Sequence, residues 1–318
     1  MESEALVQLA LEAQACSQKE LAVRLRVSPT QVTKWKKGEH MSSEMRDRLR
    51  TLAKIGERDP SFVLWAGSIE NADKWDKLLH HLAEIARDSA ETGYVTEPLS
   101  DDLGLLGWHT FHVLKEMGVT IPQVFPADLD FDHHASEIDG DETWEAVERN
   151  PHASLIYQIY KSLNDVYGFY AAYVSDLMFD DDLEIYNTSA ENIESCLIDL
   201  AAAKIEVDPR FATKFHEFRT RTIKEFEKWL TIVKNKAFRA GIPLRAELMN
   251  MVYSSREDLS LEAEQEALGF NSSRLHPDVY MNELLCGMRA IHQVLPAILK
   301  KLGIEEEFQL DTSEFYVK

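Results

Sequence analysis

Three groups of side chains in this sequence have types and spacings that could do chemistry. His80, His81 and Glu84, with His109 and His112, have the intervals of metal ligands carried on helices. A carboxylate–histidine centre needs several such helices to converge and uses paired Glu-x-x-His segments. That full pattern is absent, so solvated or core histidines are the expectation. His216-Glu217 has no second His four residues on, so the zinc-protease spacing is missing too. The second group is acidic. Nine Asp and Glu lie between Asp128 and Glu148 with no Lys or Arg among them. Asp128, Asp130 and Asp132 match the start of a calcium loop. His133 then stands where the sixth-position Gly is required, and Asp139 where the twelfth-position Glu belongs. A solvated acidic loop is expected, one that could also lie against a basic surface of the same chain and mimic DNA. The third group is aromatic: Tyr157, Tyr160, Tyr167, Tyr170, Tyr173 and Tyr186, with Phe169 and Phe179. These residues read as a bundle core, or as a ligand pocket or subunit interface where Tyr supplies apolar area and a hydroxyl. Gly168 among them would let another element approach closely. No nucleophile–base pair and no glycine-rich phosphate loop accompany these groups. No catalytic residue, metal or cofactor is therefore expected, and the chain does not read as an enzyme.

The elements that must position these residues read as helices. The chain has 318 residues with few Gly (13) and Pro (10), a composition that favours helix. Its formal charge is −21, which as an average argues against a phosphate-binding surface. The average hides a split, because residues 1–58 carry a net +3 and residues 59–318 a net −24. The two parts are read separately for that reason, as domains 1–58 and 59–318. The three cysteines are far apart and fit buried thiols of a cytoplasmic protein. The first residues do not read as a secretory signal, and no apolar run is long enough to span a membrane.

Residues 5–14 place apolar side chains at helical spacing. Ser17 with Glu20 three residues on forms a capping box for a helix over about 18–25, burying Leu21, Ala22 and Leu25. Arg26 and Val27 make a short turn. Ser28 then caps a third helix with Pro29 at its first position, Val32 and Trp35 inward, and Gly38 at its end. A fourth helix is expected from Ser42 or Ser43 to about Ile55, ended by Gly56, with Met45, Leu49, Leu52 and Ala53 inward. Two short helices joined by a tight turn form a helix-turn-helix, and a second helix rich in Thr and Lys can enter a major groove.

The stretch from Ser17 to Leu49 resembles the helix-turn-helix of the Cro/C1-type (XRE family) regulators, through Gln18, Leu21, Ala22, Leu25, Val27, Ser28, Val32, Trp35 and Gly38. The resemblance covers about residues 3–56. It implies a lambda-repressor-like domain that binds double-stranded DNA. Thr30, Thr33 and Lys34 would face base edges, with Pro29 against a thymine methyl and Gln31 as a further candidate. Gln18, Lys19, Ser28, Lys36 and Lys37 would hold phosphates. Arg26 departs from the family, which has Gly in the turn; a left-handed Arg there would cost about 1 kcal/mol, so a slightly different turn is expected.

Beyond Pro60, an expected boundary, amphipathic stretches predict helices over 71–90, 101–117, 190–204, 209–240, 243–253, 259–268 and 276–302, the last interrupted by Pro296. Residues 151–179 read as one long buried helix, and 123–150 as irregular. No 34-residue repeat and no strand pattern appears, so an all-α helical bundle domain is expected. Ala66-Gly67 resembles the cleavage dipeptide of self-cleaving phage repressors, but the β-rich domain that chemistry needs is not indicated. These readings converge on a dimeric transcriptional regulator, a repressor, acting on a palindromic operator. The long helices 209–240 and 276–302 are candidate dimer contacts. Three alternatives remain at this level: a helical regulator that senses a peptide or small ligand, a toxin–antitoxin or phage-defence component whose acidic domain binds a protein partner, and an enzyme with a DNA-targeting domain, which no catalytic constellation supports.

Overall fold

The computed structural model describes residues 2–130, 140–270 and 277–303, without the side chains of 140–143 and 277–283. The described residues are helical throughout, with no strand among them. Fifteen α-helices are described: α1 (Glu2–Ala13), α2 (Gln18–Leu25), α3 (Pro29–Trp35), α4 (Ser43–Ala53), α5 (Pro60–Ala66), α6 (Ile69–Asp88), α7 (Leu106–Glu116), α8 (Gly140–Arg149), α9 (Pro151–Tyr173), α10 (Ser175–Met178), α11 (Leu197–Ala203), α12 (Phe215–Ala240), α13 (Asn250–Tyr253), α14 (Arg256–Ala267) and α15 (Pro277–Leu302).

Local chemistry sets the first helix boundaries. The Ser17 side chain accepts from the Glu20 N–H while the Glu20 carboxylate accepts from the Ser17 N–H, closing the capping box of α2. The Ser28 hydroxyl caps α3, and Pro29 opens it where no N–H is needed. α4 differs from expectation: it ends at Lys54, which takes the left-handed conformation itself (φ 61°), two residues before Gly56. Met45 and Leu52 are only partly buried, while Leu49 and Ala53 are fully so. At residue 60 the chain runs straight into another helix. Asp59 caps α5 through the Phe62 N–H, and Pro60 is its first residue. α1 packs against α4 on one side and α5 on the other, which is why Ala5, Leu6, Val7, Leu9 and Ala10 are all buried.

α9 is the centre of the larger part. It packs against α6, α8, α11 and α14 and is buried on most of its circumference. Such a helix needs polar positions that satisfy themselves internally. The Asn164 amide donates to the Ala86 carbonyl (2.6 Å) and its oxygen accepts from Thr96 (2.7 Å), fastening the C-terminal end of α6. Ser162 donates to the Ala201 carbonyl of α11 (2.8 Å), and Thr110 of α7 bonds the Tyr160 hydroxyl (2.7 Å). Gly168 permits the close approach the sequence suggested, since a Cβ there would lie 2.6 Å from Thr92.

Several later boundaries depart from the sequence reading. α7 starts at Leu106 rather than 101, because Asp101 takes a left-handed conformation (φ 55°) and its carboxylate accepts from the Leu105 and Leu106 N–H groups. α8 occupies part of the stretch read as irregular; Trp144 and Val147, one turn apart, turn toward α9. The helix read over 151–179 breaks at Val174 into α9 and α10. Residues 190–204 are not one amphipathic helix but short 3-10 turns followed by α11, which is buried on nearly every residue. α12 begins at Phe215, six residues after Pro209, and spans about 39 Å. The helices read over 243–253 and 259–268 are α13, only four residues long, and α14, which starts earlier at Arg256.

Candidate nucleic-acid interface

The α2–turn–α3 unit carries most of the residues singled out in the sequence. Its turn closes without glycine. Arg26 adopts φ 58° and ψ 43°, the Val27 N–H bonds the Ala22 carbonyl (2.9 Å) and the Arg26 N–H bonds Val23 (3.1 Å). This is the usual left-handed helix termination, so Arg26 accepts the strain and the turn keeps the geometry a glycine would give.

That turn sets α3 with Val32 and Trp35 in the core. The opposite face carries Pro29, Thr30, Thr33 and Lys34, all exposed, with Gln31 half-buried. Lys36 and Lys37 follow at the exposed end of the helix, and Gly38 (φ 84°) turns the chain away. Lys19 is exposed at the start of α2, and Ser28 is exposed while its hydroxyl caps α3 through the Gln31 N–H (3.2 Å). The residues singled out in the sequence therefore lie together on one side of the unit.

Gln18, Thr33 and Lys34 are engaged within the protein. The Gln18 amide donates to the Thr33 hydroxyl (2.6 Å) and the Pro29 carbonyl (3.2 Å), and Thr33 in turn donates to Pro29 (3.0 Å). Gln18 thus braces α3 against α2, and the Thr33 hydroxyl keeps one acceptor site for anything outside. Lys34 forms an ion pair with Glu39 (3.5 Å), both side chains being about half exposed (51% and 52%). Glu39 was not singled out by sequence; its place one turn past Lys34, beyond the helix end, is the signal that could have found it. Glu20 is held below the usual carboxylate range, first by the Ser17 N–H and then by the Ser17 hydroxyl, and so stays anionic at the edge of this face. At α4, Ser42 occupies the capping position without a side-chain cap bond, leaving first-turn N–H groups to outside acceptors.

The other candidate groups fall elsewhere. Tyr160, Tyr167, Tyr170 and Tyr173 are buried along α9 and Tyr157 is half-buried, its ring edge-on to Trp144. Tyr173 donates to the Glu262 carbonyl (2.9 Å). These rings pack the core between helices. His80 bonds Asp101 (3.0 Å), while His112 stacks on Trp108 with planes 4° apart. No cluster of three metal-ligating side chains occurs among the described residues. Asp128 accepts from Asn150 (3.1 Å) and Asp130 pairs with Lys74 (2.7 Å). The rest of the calcium-like spacing, at 131–139, lies outside the described residues.

Several hollows adjoin the helices. One, of about 830 Å³, lies between α1, α5, α7 and the residues just before α12 and is lined by Gln8, Glu12, Trp65, Lys115, Gln123 and Lys214. Lys115 sits over the Trp65 ring at 5.1 Å. Another, of about 280 Å³, gathers His112, Glu116, Asp199, Arg221 and Glu225. Burial pushes Asp199 up to about 7, Arg221 opposes this, and Glu225 and Glu116 add to it. Among the described residues no helix is long and apolar enough to cross a membrane. The chain matches no family model, no curated protein and no solved structure.

Proposed function

We propose that the chain is a cytoplasmic, sequence-specific DNA-binding regulator of the Cro/C1 type, a repressor that acts as a dimer on a palindromic operator. In this reading residues 1–58 are a lambda-repressor-like helix-turn-helix domain and the acidic remainder is a helical bundle domain. The observation that carries it is the α2–turn–α3 unit: a short capped helix, core-anchored by Val32 and Trp35, that presents Thr30, Lys34, Lys36 and Lys37 to solvent. Such a helix meets base edges with its first turns, while lysines beyond them meet phosphates. The charge split supports the same assignment, because nearly all of the excess acid lies after residue 58. The bulk of the chain then repels the duplex, and attraction to the phosphates depends on the few cations of the α2–turn–α3 unit.

Selection of binding sites from random duplexes with the full-length protein tests the reading. An inverted repeat with half-sites about 34 Å apart supports it, and recovery of no motif overturns it. Lys34→Ala should then cost about 1–3 kcal/mol on the selected site and relax selectivity at one position, whereas Lys36→Ala should weaken all sequences alike. An equal loss on selected and random DNA removes Lys34 from the base-reading set.

One observation favours the ligand-sensing form of this regulator. The 830 Å³ hollow takes Gln8 and Glu12 from α1, so an occupant would touch the helix that backs the DNA-facing unit.

A further inference from the structure

α15 is unlike every other long helix of the protein. Its described side chains are solvated almost without exception, including Leu284, Leu285, Met288, Ile291, Val294, Ile298 and Leu302, each 44–64% exposed. The helix is nevertheless strongly patterned. Leu284, Met288, Ile291, Leu295, Ile298 and Leu302 follow one another at intervals of four, three, four, three and four residues. That alternation is the seam of a two-helix coiled coil, and Leu285 and Val294 widen it. Pro296 falls off the seam, and the intrahelical bond it forgoes is on a different face.

We propose that α15 is the self-association helix of this protein, pairing antiparallel with α15 of a second copy. The proposal rests on the dimeric regulator reading and adds its contact surface. Three features select a second copy as the occupant. First, a stripe used by both partners in a twofold contact must be complementary to itself. In the antiparallel register Leu284 faces Leu295 of the other copy, Met288 faces Ile291 and Leu285 faces Val294, so the large side chains of the central turns meet one another across the seam. Second, the area suffices. Covering the seven half-exposed side chains removes about 90 Å² apiece, or about 1,200 Å² over two copies, which reaches the size of a stable specific interface. Third, the charges fit one direction. Lys300 and Lys301 end the helix. Parallel pairing would set both pairs of lysines side by side. Antiparallel pairing moves them about 33 Å apart and brings each pair to the first two turns of the other helix, where the sequence carries Asp278 and Glu283.

Light scattering and sedimentation of the full chain test the proposal. The wild type should be dimeric at micromolar concentration. Ile291→Glu, which would place a carboxylate from each copy in the seam, should raise the dissociation constant at least about 100-fold. Met288→Lys should do the same. The seam lies outside the folded core, so both variants should keep the wild-type helical signal and melting profile. In a Cys286→Ser background, mixing Leu284→Cys protein with Leu295→Cys protein should give a crosslinked pair, and Leu302→Cys alone should not. A monomeric wild type overturns the proposal, as does a dimer that survives both seam variants. Crosslinking through Leu302→Cys overturns the antiparallel direction. Binding of the same proteins to a single operator half-site separates the two readings. Half-site affinity unchanged in Ile291→Glu, together with loss of the dimer, supports α15. A wild type that dimerises through α15 and binds no half-site strikes the DNA-binding reading alone.

Discussion

Glu39→Gln should make this protein bind its operator more tightly, although no residue that touches DNA is altered. Glu39 holds Lys34 in an ion pair at 3.5 Å, with both side chains about half exposed. Two unit charges at that distance in water attract by about 1.2 kcal/mol, and screening at physiological salt leaves about 0.8 kcal/mol. Ordering two long side chains offsets part of this, and exposed pairs are worth about 0.2–1 kcal/mol in practice. That amount must be given up before Lys34 can turn to a base edge. Removing the carboxylate should therefore tighten binding about two- to fivefold. Fluorescence anisotropy with a labelled duplex of the selected operator measures this directly. The decisive comparison is a double-mutant cycle: the gain from Glu39→Gln should vanish in a Lys34→Ala background. Unchanged affinity in Glu39→Gln, or a gain that persists without Lys34, would refute the view that the ion pair competes with DNA.

Other expectations concern stability. Arg26→Gly should stabilise the chain by about 0.5 kcal/mol in urea unfolding, since relief of left-handed strain outweighs the added freedom of the unfolded chain, while Arg26→Ala should bring no gain. Gly168→Ala would set a Cβ 2.6 Å from Thr92, which is itself fully buried, and should lower stability by about 1–3 kcal/mol in the same assay. The His80–Asp101 contact should make stability depend on pH. Its hydrogen bond to Asp101 pushes His80 up to about 9 against the effect of burial, above the usual 6.5. The stabilisation is therefore complete below about pH 6.5 and is lost as pH rises through 9. Asp101→Asn keeps a residue suited to φ 55° and able to cap α7, so its melting temperature should fall less over that window than the wild type's. Parallel curves would remove His80 as the source.

The parts of this molecule that were legible in its sequence are those fixed by chemistry between near neighbours. Ser17 with Glu20, Ser28 with Pro29, and Gly38 set helix ends within four residues of themselves, and the structure follows them. Errors arose where a non-glycine residue took a left-handed conformation. Lys54 ends α4 early and Asp101 delays α7, and neither residue type announces that conformation. α8 was missed because the acids around Trp144 and Val147 outweighed a two-residue apolar signal. The exposed positions of α3 were legible because Val32 and Trp35 fix its inner face. The bonds that occupy those positions were not, since the Gln18–Thr33 contact joins residues fifteen apart. The packing of α1 against α5 was invisible for the same reason: a helix face buried on two sides looks in sequence like one buried on a single side.

That placement of α1 has a mechanical consequence. α1 is clamped between α4 and α5, and the connection from 54 to 59 is tied down by Arg50, which donates to the Gly56 and Arg58 carbonyls, and by Arg58, which pairs with Asp73 on α6. A protein whose reading head hangs on a supple tether can follow operators of varied layout, because the tether takes up the difference. Here there is no slack to take it up. Each added base pair between half-sites shifts the second groove by 3.4 Å and rotates it about the duplex axis by roughly a tenth of a turn. A head held as one rigid piece with its body cannot track that rotation. On the proposed operator-binding reading, this fastening predicts that the protein accepts a narrow range of half-site spacings.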